Sequence, residues 1–144
     1  RDRLALEYRT DHVRGGRPAA LGWQHMLALL LFSVGYYFQV MGDLQLERFK
    51  KTRTERSMVL DTGLWRLTRH PNYFGEAMVW WSFGALGLVH AWGWLALVCP
   101  LYVTWFMSSG SATPMQGRYL AKTKPAYADY MTRVPAFFPW GRAR

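Results

Sequence analysis

The segment GLWRLTRHPNYFGE, residues 63–76, sets charged and polar side chains directly before a long apolar run. Pro71 suits the first turn of a helix, because its missing N–H costs no hydrogen bond there, and it disfavours a helical backbone at His70. Inside that helix, Asn72 and Glu76 are four residues apart and share one face. The segment therefore predicts a helix that begins with a polar face suited to a ligand, just after two basic residues.

The apolar stretches around this segment predict an all-α membrane protein. Residues 19–41 contain no Asp, Glu, Lys or Arg, and these 23 residues are long enough to cross a bilayer. Residues 77–109 also lack formal charge, but 33 residues are too many for one span, and HAWGW at 90–94 interrupts them. The helices of a soluble core would keep a polar stripe, which these stretches lack. We therefore predict three spans, at about 19–42, 71–89 and 92–109.

The basic residues predict the orientation of these spans. The chain carries 18 Lys and Arg against nine Asp and Glu, a net charge of +9. Residues 48–69 hold seven basic and two acidic side chains, and residues 110–144 hold six basic and one acidic. Two predicted spans separate these regions, so both lie on one side, which the excess of Lys and Arg marks as cytoplasmic. We predict a cytosolic loop at 43–70 and a cytosolic tail at 110–144, and we attribute the basicity to topology rather than to nucleic acid binding.

The tail is predicted to form a short interfacial helix that begins near Pro125. Tyr127, Tyr130 and Met131 recur three and four residues apart and so share one face of that helix. We expect this face to pack against the membrane or against the helical bundle.

We interpret residues 1–144 as a single membrane domain that is part of a longer protein. The chain opens on Arg1 rather than Met, and its first residues lack the pattern of a signal peptide. Cys99 is the only cysteine and lies within a predicted span, so a disulfide framework is excluded. The four histidines show no metal-ligand spacing, and no metal site is predicted.

Three motifs resemble the C-terminal half of the steroid 5α-reductase-like membrane reductases. They are GDLQLERFK at 42–50, VLDTGLWRLTRHPNYFGE at 59–76 and AYADYMTRVPAFFPW at 126–140, in the family's order and spacing. The similarity covers about residues 20–140 and is closest to the bacterial branch catalogued as a domain of unknown function. It implies a multi-pass protein of the bacterial inner membrane that uses NADPH to reduce an activated carbon–carbon double bond. The implied substrate is a hydrophobic lipid or steroid-like molecule.

The resemblance implies cofactor contacts from the first predicted helix. Gln39, Asp43 and Lys50 stand where the family supplies an amide, an aspartate and a basic residue. Their helical spacing puts them roughly on one face, so one helix could offer all three to a single ligand. Asp43 would contact a ribose or an amide edge, and Lys50 a phosphate. As alternatives, Asp43 could simply end a span, and Lys50 could belong to the positive-inside charge.

Further contacts are implied in the segment that opens the second helix. Asn72 and Glu76 match the pair that holds the nicotinamide and ribose end, and Tyr73 lies between them in the predicted set. Arg69 and His70 would face the pyrophosphate, helped by the helix N-terminus. The alternative for Glu76 is an ion pair with an arginine of the loop.

The chain departs from the family pattern at two places. Relatives usually carry an acidic residue shortly after the last span, but no Asp or Glu occurs here between Glu76 and Asp129. Met58 stands where some steroid reductases have an arginine, so Arg53 or Arg56 would substitute for it in a phosphate site.

The resemblance also implies that the catalytic residues lie elsewhere. The tyrosine and glutamate thought to polarise the substrate carbonyl come from the family's N-terminal half, which has no counterpart in these 144 residues. We therefore predict a cofactor-binding half that is inactive alone.

Two other functions compete with this interpretation. Isoprenylcysteine-type membrane methyltransferases, which use S-adenosylmethionine, also carry an RHPxY segment and a Tyr-rich tail ending in RVP. They usually have paired glutamates before that tail, which are absent here. A non-enzymatic membrane scaffold is the third hypothesis.

Overall fold

The computed structural model describes residues 21–110 and 112–140, and this part of the chain is all helical, without strands. The α-helices are, in order, α1 (Trp23–Thr52), α2 (Pro71–Gly87), α3 (Val98–Trp105), α4 (Ala112–Thr123) and α5 (Pro125–Arg133). They are connected through 3-10 turns at Gly63–Arg66 and Gly93–Leu97 and a π-helical segment at Phe106–Gly110.

Two stretches are long and apolar enough to cross a membrane, namely α1 and the helical run Gly93–Thr123. Little of either stretch is buried within the protein, which suits helices surrounded by lipid. The helix α2 has 17 residues and ends at Gly87, so its length is only at the lower limit for crossing hydrocarbon. The structure thus gives two candidate spans, and the predicted count of three is not confirmed.

The helix α1 extends ten residues beyond the predicted end of the first span at 42, and it ends at Thr52. The first charged residue, Asp43, ends the apolar run and with it the predicted span, while the helix continues, as the helical spacing of Gln39, Asp43 and Lys50 indicated. Lys50 and Lys51 occupy the last turn, where basic side chains favour the helix C-terminus. The predicted loop at 43–70 therefore begins with three helical turns.

Glycines bring α1 and α2 into backbone contact. A Cβ atom on Gly75 would lie 2.5 Å from both the Gly35 carbonyl oxygen and the Gln39 backbone nitrogen, so no larger residue fits there. On α1, the buried positions Ala28, Gly35 and Gly42 are spaced by seven residues, which aligns them along one seam. Small residues at such a seam allow two helices to approach closely within a membrane.

The loop after α1 is held against that helix by two hydrogen bonds. Gly63 adopts a φ of 61°, a conformation that favours glycine. This turn lets the Leu64 backbone N–H donate to Gln45 Oε1 at 2.9 Å. The Trp65 Nε1–H donates to the Gly42 carbonyl at 3.0 Å and is buried. The 3-10 turn is thereby fixed beside the C-terminal part of α1.

The tail closes over this loop. The predicted helix start is confirmed, because α5 begins at Pro125. Tyr127 and Tyr130 are buried in one cluster with Val134, as their shared face predicted, and the Tyr130 hydroxyl donates to the Trp65 carbonyl. Met131 lies half-buried against the same cluster. The tail therefore packs against the protein itself.

Backbone and side-chain hydrogen bonds extend this closure beyond α5. The Thr68 hydroxyl donates to the Phe137 carbonyl at 2.8 Å, and the Arg69 backbone N–H donates to the Pro135 carbonyl at 2.9 Å. These two bonds connect the residues just before α2 to the end of the tail.

We expect Gly75→Ala to destabilise the protein by about 1–3 kcal/mol, because the added methyl group must push the α1 backbone away. Gly117→Ala is the matched control, since its Cβ would meet only Met131 Cε at 3.8 Å and Arg69 Nη1 at 4.0 Å, which are ordinary contacts. Thermal unfolding in detergent measures both. Equal melting temperatures for the two variants would contradict the proposed contact.

Candidate functional site

Two hydrogen-bonded pairs connect α1 and α2 beside the glycine contact. Gln39 Nε2 donates to Glu76 Oε2 at 2.6 Å, and Asn72 Nδ2 donates to Asp43 Oδ1 at 3.0 Å. Glu76 Oε1 also accepts from Trp80 Nε1 at 3.0 Å. Among the described residues, no lysine or arginine forms an ion pair with Glu76, so the alternative of an arginine partner finds no support. We call these four residues the polar ladder: Gln39, Asp43, Asn72 and Glu76.

The helix α2 begins as the sequence predicted. Pro71 lies in its first turn, and His70 is the N-cap residue with φ −141° and ψ 64°. Arg69 and His70 are 5% and 2% exposed, and within the described residues Arg69 Nε and His70 Nε2 have no hydrogen-bond partner. The half-buried ring of Tyr73 stacks on the imidazole with 5.2 Å between centroids. Because an unpaired buried polar group costs about 1–3 kcal/mol, this helix start is suited to receive a ligand.

The imidazole of His70 is neutral at physiological pH. Burial, with a smaller contribution from the neighbouring Arg69 charge, lowers the pKa of His70 to about 4. His70 can therefore offer a ring N–H or a lone pair to a ligand, while Arg69 supplies the positive charge.

A cavity of about 220 Å³ adjoins the start of α2, between the end of α1, the loop and the tail. Its lining includes four basic side chains and no acidic one: Lys50, Arg53, Arg69 and Lys124. Burial, followed by repulsion from Arg53 and Lys50, lowers the pKa of Lys124. Lys124 Nζ donates to the Met58 carbonyl at 2.8 Å. None of the four positive charges faces a carboxylate in the lining of the cavity. We call this space the basic cavity.

The tail contributes neutral hydroxyl groups to the basic cavity. Tyr127 and Tyr130 line it, and burial raises the pKa of both phenols. The Arg69 charge opposes this rise at Tyr127 but does not overcome it. Both tyrosines therefore remain protonated, and because the single O–H of Tyr130 already donates to the Trp65 carbonyl, only the Tyr127 hydroxyl can donate to a ligand.

The predicted site residues fall into two neighbouring groups. Lys50, Arg69 and His70 line the basic cavity, with Tyr73 covering His70. The polar ladder lies along the α1–α2 contact and outside the lining of that cavity. The structure thus brings the polar ladder together and gathers the basic residues separately at the start of α2.

Sequence reasoning missed the contribution of the tail. Lys124, Tyr127 and Tyr130 form one wall of the basic cavity, although the sequence predicted only packing for the two tyrosines. Of the two arginines suggested as substitutes at a phosphate site, Arg53 lines the cavity and Arg56 does not. The two tyrosines of AYADY were the signal that the sequence offered. The loop residue that Tyr130 contacts, Trp65, lies 65 residues earlier in the chain, so the sequence could not show that they meet.

Comparison with known proteins identifies relatives. The chain matches the family described as protein of unknown function (DUF1295) over residues 5–134. It is 29% identical over 94% of its length to the steroid 5-alpha-reductase DET2 of Arabidopsis thaliana, and 32% identical over 73% to DET2 of Gossypium hirsutum. It is also 29% identical over 81% of its length to the cobalt-zinc-cadmium resistance protein CzcN of Cupriavidus metallidurans. The chain spans about half the length of these curated relatives or less, at 48%, 39% and 51%. No solved structure matches it.

Buried neutral His70 predicts a loss of stability in mild acid. Unfolded histidine has a pKa near 6.5 and takes up a proton as the pH falls, whereas folded His70, with a pKa of about 4, does not. Between pH 7 and pH 5 this difference should lower the free energy of unfolding by about 2 kcal/mol. We expect His70→Gln to flatten that dependence, and exposed His90→Gln to leave it unchanged. Melting temperatures measured across this range test the prediction, and parallel curves for wild type and His70→Gln would refute it.

Proposed function

The chain belongs to DUF1295, a domain of the steroid 5-alpha-reductase family, and we propose that it forms the cofactor-binding half of a membrane reductase that uses NADPH. The substrate we propose is a lipid or steroid-like molecule with an activated carbon–carbon double bond. It would reach the enzyme through the bilayer, along the exposed apolar faces of the helices. The groups that polarise this substrate are proposed to lie in the part of the protein that the chain does not include.

The main support for the proposal is the lining of the basic cavity. It gathers Lys50, Arg53, Arg69 and Lys124 around the N-terminus of α2, without an acidic side chain in its lining. A helix N-terminus and clustered cations favour phosphate groups. The unpaired His70 Nε2 would gain the hydrogen-bond partner that the described residues do not provide, and Arg69 would contribute its positive charge. The cavity, at about 220 Å³, can hold a phosphate-bearing part of a dinucleotide, and the rest must lie outside it.

The polar ladder is a suitable place for the nicotinamide and ribose end. Gln39 precedes Lys50 by eleven residues on α1, which corresponds to about 16 Å along the helix axis. A dinucleotide in an extended conformation can therefore contact both. Asn72 and Asp43 would exchange their mutual hydrogen bond for bonds to the ligand, since this pair is exposed. When bound, NADPH supplies the hydride, and the role of the described residues is to hold and orient it.

The relatives named as steroid 5-alpha-reductases favour a reduction over a methyl transfer, and NADPH is the reductant we propose. The amide–carboxylate pairs of the polar ladder offer donors and acceptors that suit a carboxamide and ribose hydroxyls. Binding of S-adenosylmethionine in place of NADPH would favour the methyltransferase hypothesis.

We expect Lys50→Gln and Glu76→Gln to weaken NADPH binding by about tenfold to a hundredfold, because each loses a charge-assisted hydrogen bond. Matched controls are Lys51→Gln and Glu47→Gln. These two residues form an exposed ion pair with 2.6 Å between Lys51 Nζ and Glu47 Oε1, and neither lines the basic cavity. Asn72→Ala should also weaken binding with little loss of stability.

Calorimetric titration of the full-length protein with NADPH, and separately with S-adenosylmethionine, makes this measurement. Equal losses in the Lys50 and Lys51 variants would indicate a general effect of charge and would contradict the proposed site. Saturable binding of S-adenosylmethionine alone would support the methyltransferase, and no binding of either ligand would support a scaffold.

We propose that α2 is the third span and that the basic cavity faces the cytoplasm, where NADPH is present. Single cysteines at Thr54 and Thr123, in a Cys99→Ala background, test this topology. A membrane-impermeant thiol reagent should label both positions only after the cells are permeabilised. Labelling of both in intact cells would reverse the orientation.

A further inference from the structure

Arg69 also borders a second cavity, of about 450 Å³, between the π-helical segment, α4, and α5 with the residues that follow it. Its polar lining comes from Arg69, Ser108, Thr113 and Arg118, and no acidic residue lines it. Met131, Ala136 and other small or apolar residues form the remaining wall. The second cavity therefore combines positive charge with an apolar surface.

Two buried polar groups in this lining lack partners. Thr113 is 4% exposed and Arg69 is 5% exposed, and neither Thr113 Oγ1 nor Arg69 Nε makes a hydrogen bond within the described residues. Such groups each cost about 1–3 kcal/mol when left unsatisfied. A guanidinium can only donate hydrogen bonds, so a ligand that pairs with Arg69 here would supply acceptor oxygens.

The position of the second cavity indicates that its ligand would also have an apolar part. Ser108 belongs to the π-helical segment, where the uncharged stretch 77–109 ends, and Thr113 lies in the first turn of α4. The second cavity thus lies where apolar helix gives way to polar tail, at the level expected for lipid headgroups. Its volume greatly exceeds that of a single phosphate, and its apolar wall suits the adjoining part of an amphiphile.

We propose that the second cavity binds the phosphate group of an amphiphilic phosphate ester, supplied by an anionic membrane lipid. Arg69 and Arg118 pair with the phosphate oxygens, and the Thr113 hydroxyl donates to one of them. This site is separate from the proposed NADPH site, although Arg69 borders both cavities. A soluble phosphate ester carries the same phosphate group and is the alternative ligand for this cavity.

The test uses the full-length protein in neutral detergent micelles, titrated with fluorescent phosphatidic acid. We expect saturable binding, and a loss of about tenfold or more in Arg118→Gln, because a charge-assisted hydrogen bond is removed. Arg56→Gln removes the same charge from an exposed position outside both cavities and should bind like wild type. Equal losses in the two variants would overturn the proposal.

Two further variants separate binding from folding. Gly117→Leu extends a side chain toward Met131 and Arg69 from a helical position with room for a Cβ, so it should fill the cavity and weaken binding, and its melting temperature is measured alongside to show that the fold is kept. Thr113→Val removes the unpaired hydroxyl, so it should weaken binding while leaving the melting temperature equal or higher. Wild-type affinity in both variants would overturn the assignment.

Two ligand comparisons complete the test. Glycerol 3-phosphate that competes as strongly as phosphatidic acid would identify a soluble source, whereas competition by lipid alone would identify the membrane. NADPH affinity should stay unchanged in Arg118→Gln. An equal loss of NADPH and phosphatidic acid affinity would mean that the second cavity belongs to the cofactor site, and the proposal of a separate lipid site would fall.

Discussion

The backbone contact between α1 and α2 is the constraint on which the rest of the structure depends. Gly35 and Gly75 approach so closely that the Cβ atom of any other residue at Gly75 would meet backbone atoms at 2.5 Å. Because the two helices lie so close together, Gln39 can hydrogen-bond directly to Glu76, and Asn72 can hydrogen-bond directly to Asp43. It also fixes the start of α2 beside the C-terminal half of α1, where the loop and tail assemble. The glycines therefore determine the geometry of the polar ladder without contributing a functional group.

The loop and the tail then turn a helix N-terminus into an enclosed site. Trp65 connects the loop to α1 through Gly42 and to the tail through Tyr130, and Thr68 and Arg69 bind the end of the tail. This closure buries Arg69 and His70 and brings Lys124 to Lys50 and Arg53. Gathering four cations without an anion, with Arg69 buried among them, opposes folding, so an anionic ligand that binds only the folded state should stabilise it through mass action.

The sequence predicted those features that depend on local rules. Pro71 located the start of α2, and the spacing of the tail tyrosines indicated a helix from Pro125 with one buried face. The helical spacing of Gln39, Asp43 and Lys50 is consistent with their places on α1. The resemblance to steroid 5α-reductases was confirmed by the family match.

Features that depend on contacts between distant segments were not predictable in this way. Nothing near Lys124 indicates that it will lie beside Arg53, and nothing near Gly75 indicates that it will face Gly35. Hydropathy located only the end of the apolar run at 42, and α1 continues ten residues past it to Thr52. The basic cavity therefore emerges only from the tertiary fold.

The most direct measurement for the central claim is a cryo-electron microscopy structure of the full-length protein with bound NADPH. The account predicts pyrophosphate density within hydrogen-bond distance of Arg69 and Lys50, and a nicotinamide ring beside Gln39 and Glu76, with α1 and α2 still in contact at Gly75. Density for the cofactor away from the start of α2, with His70 Nε2 still without a hydrogen-bond partner, would contradict it.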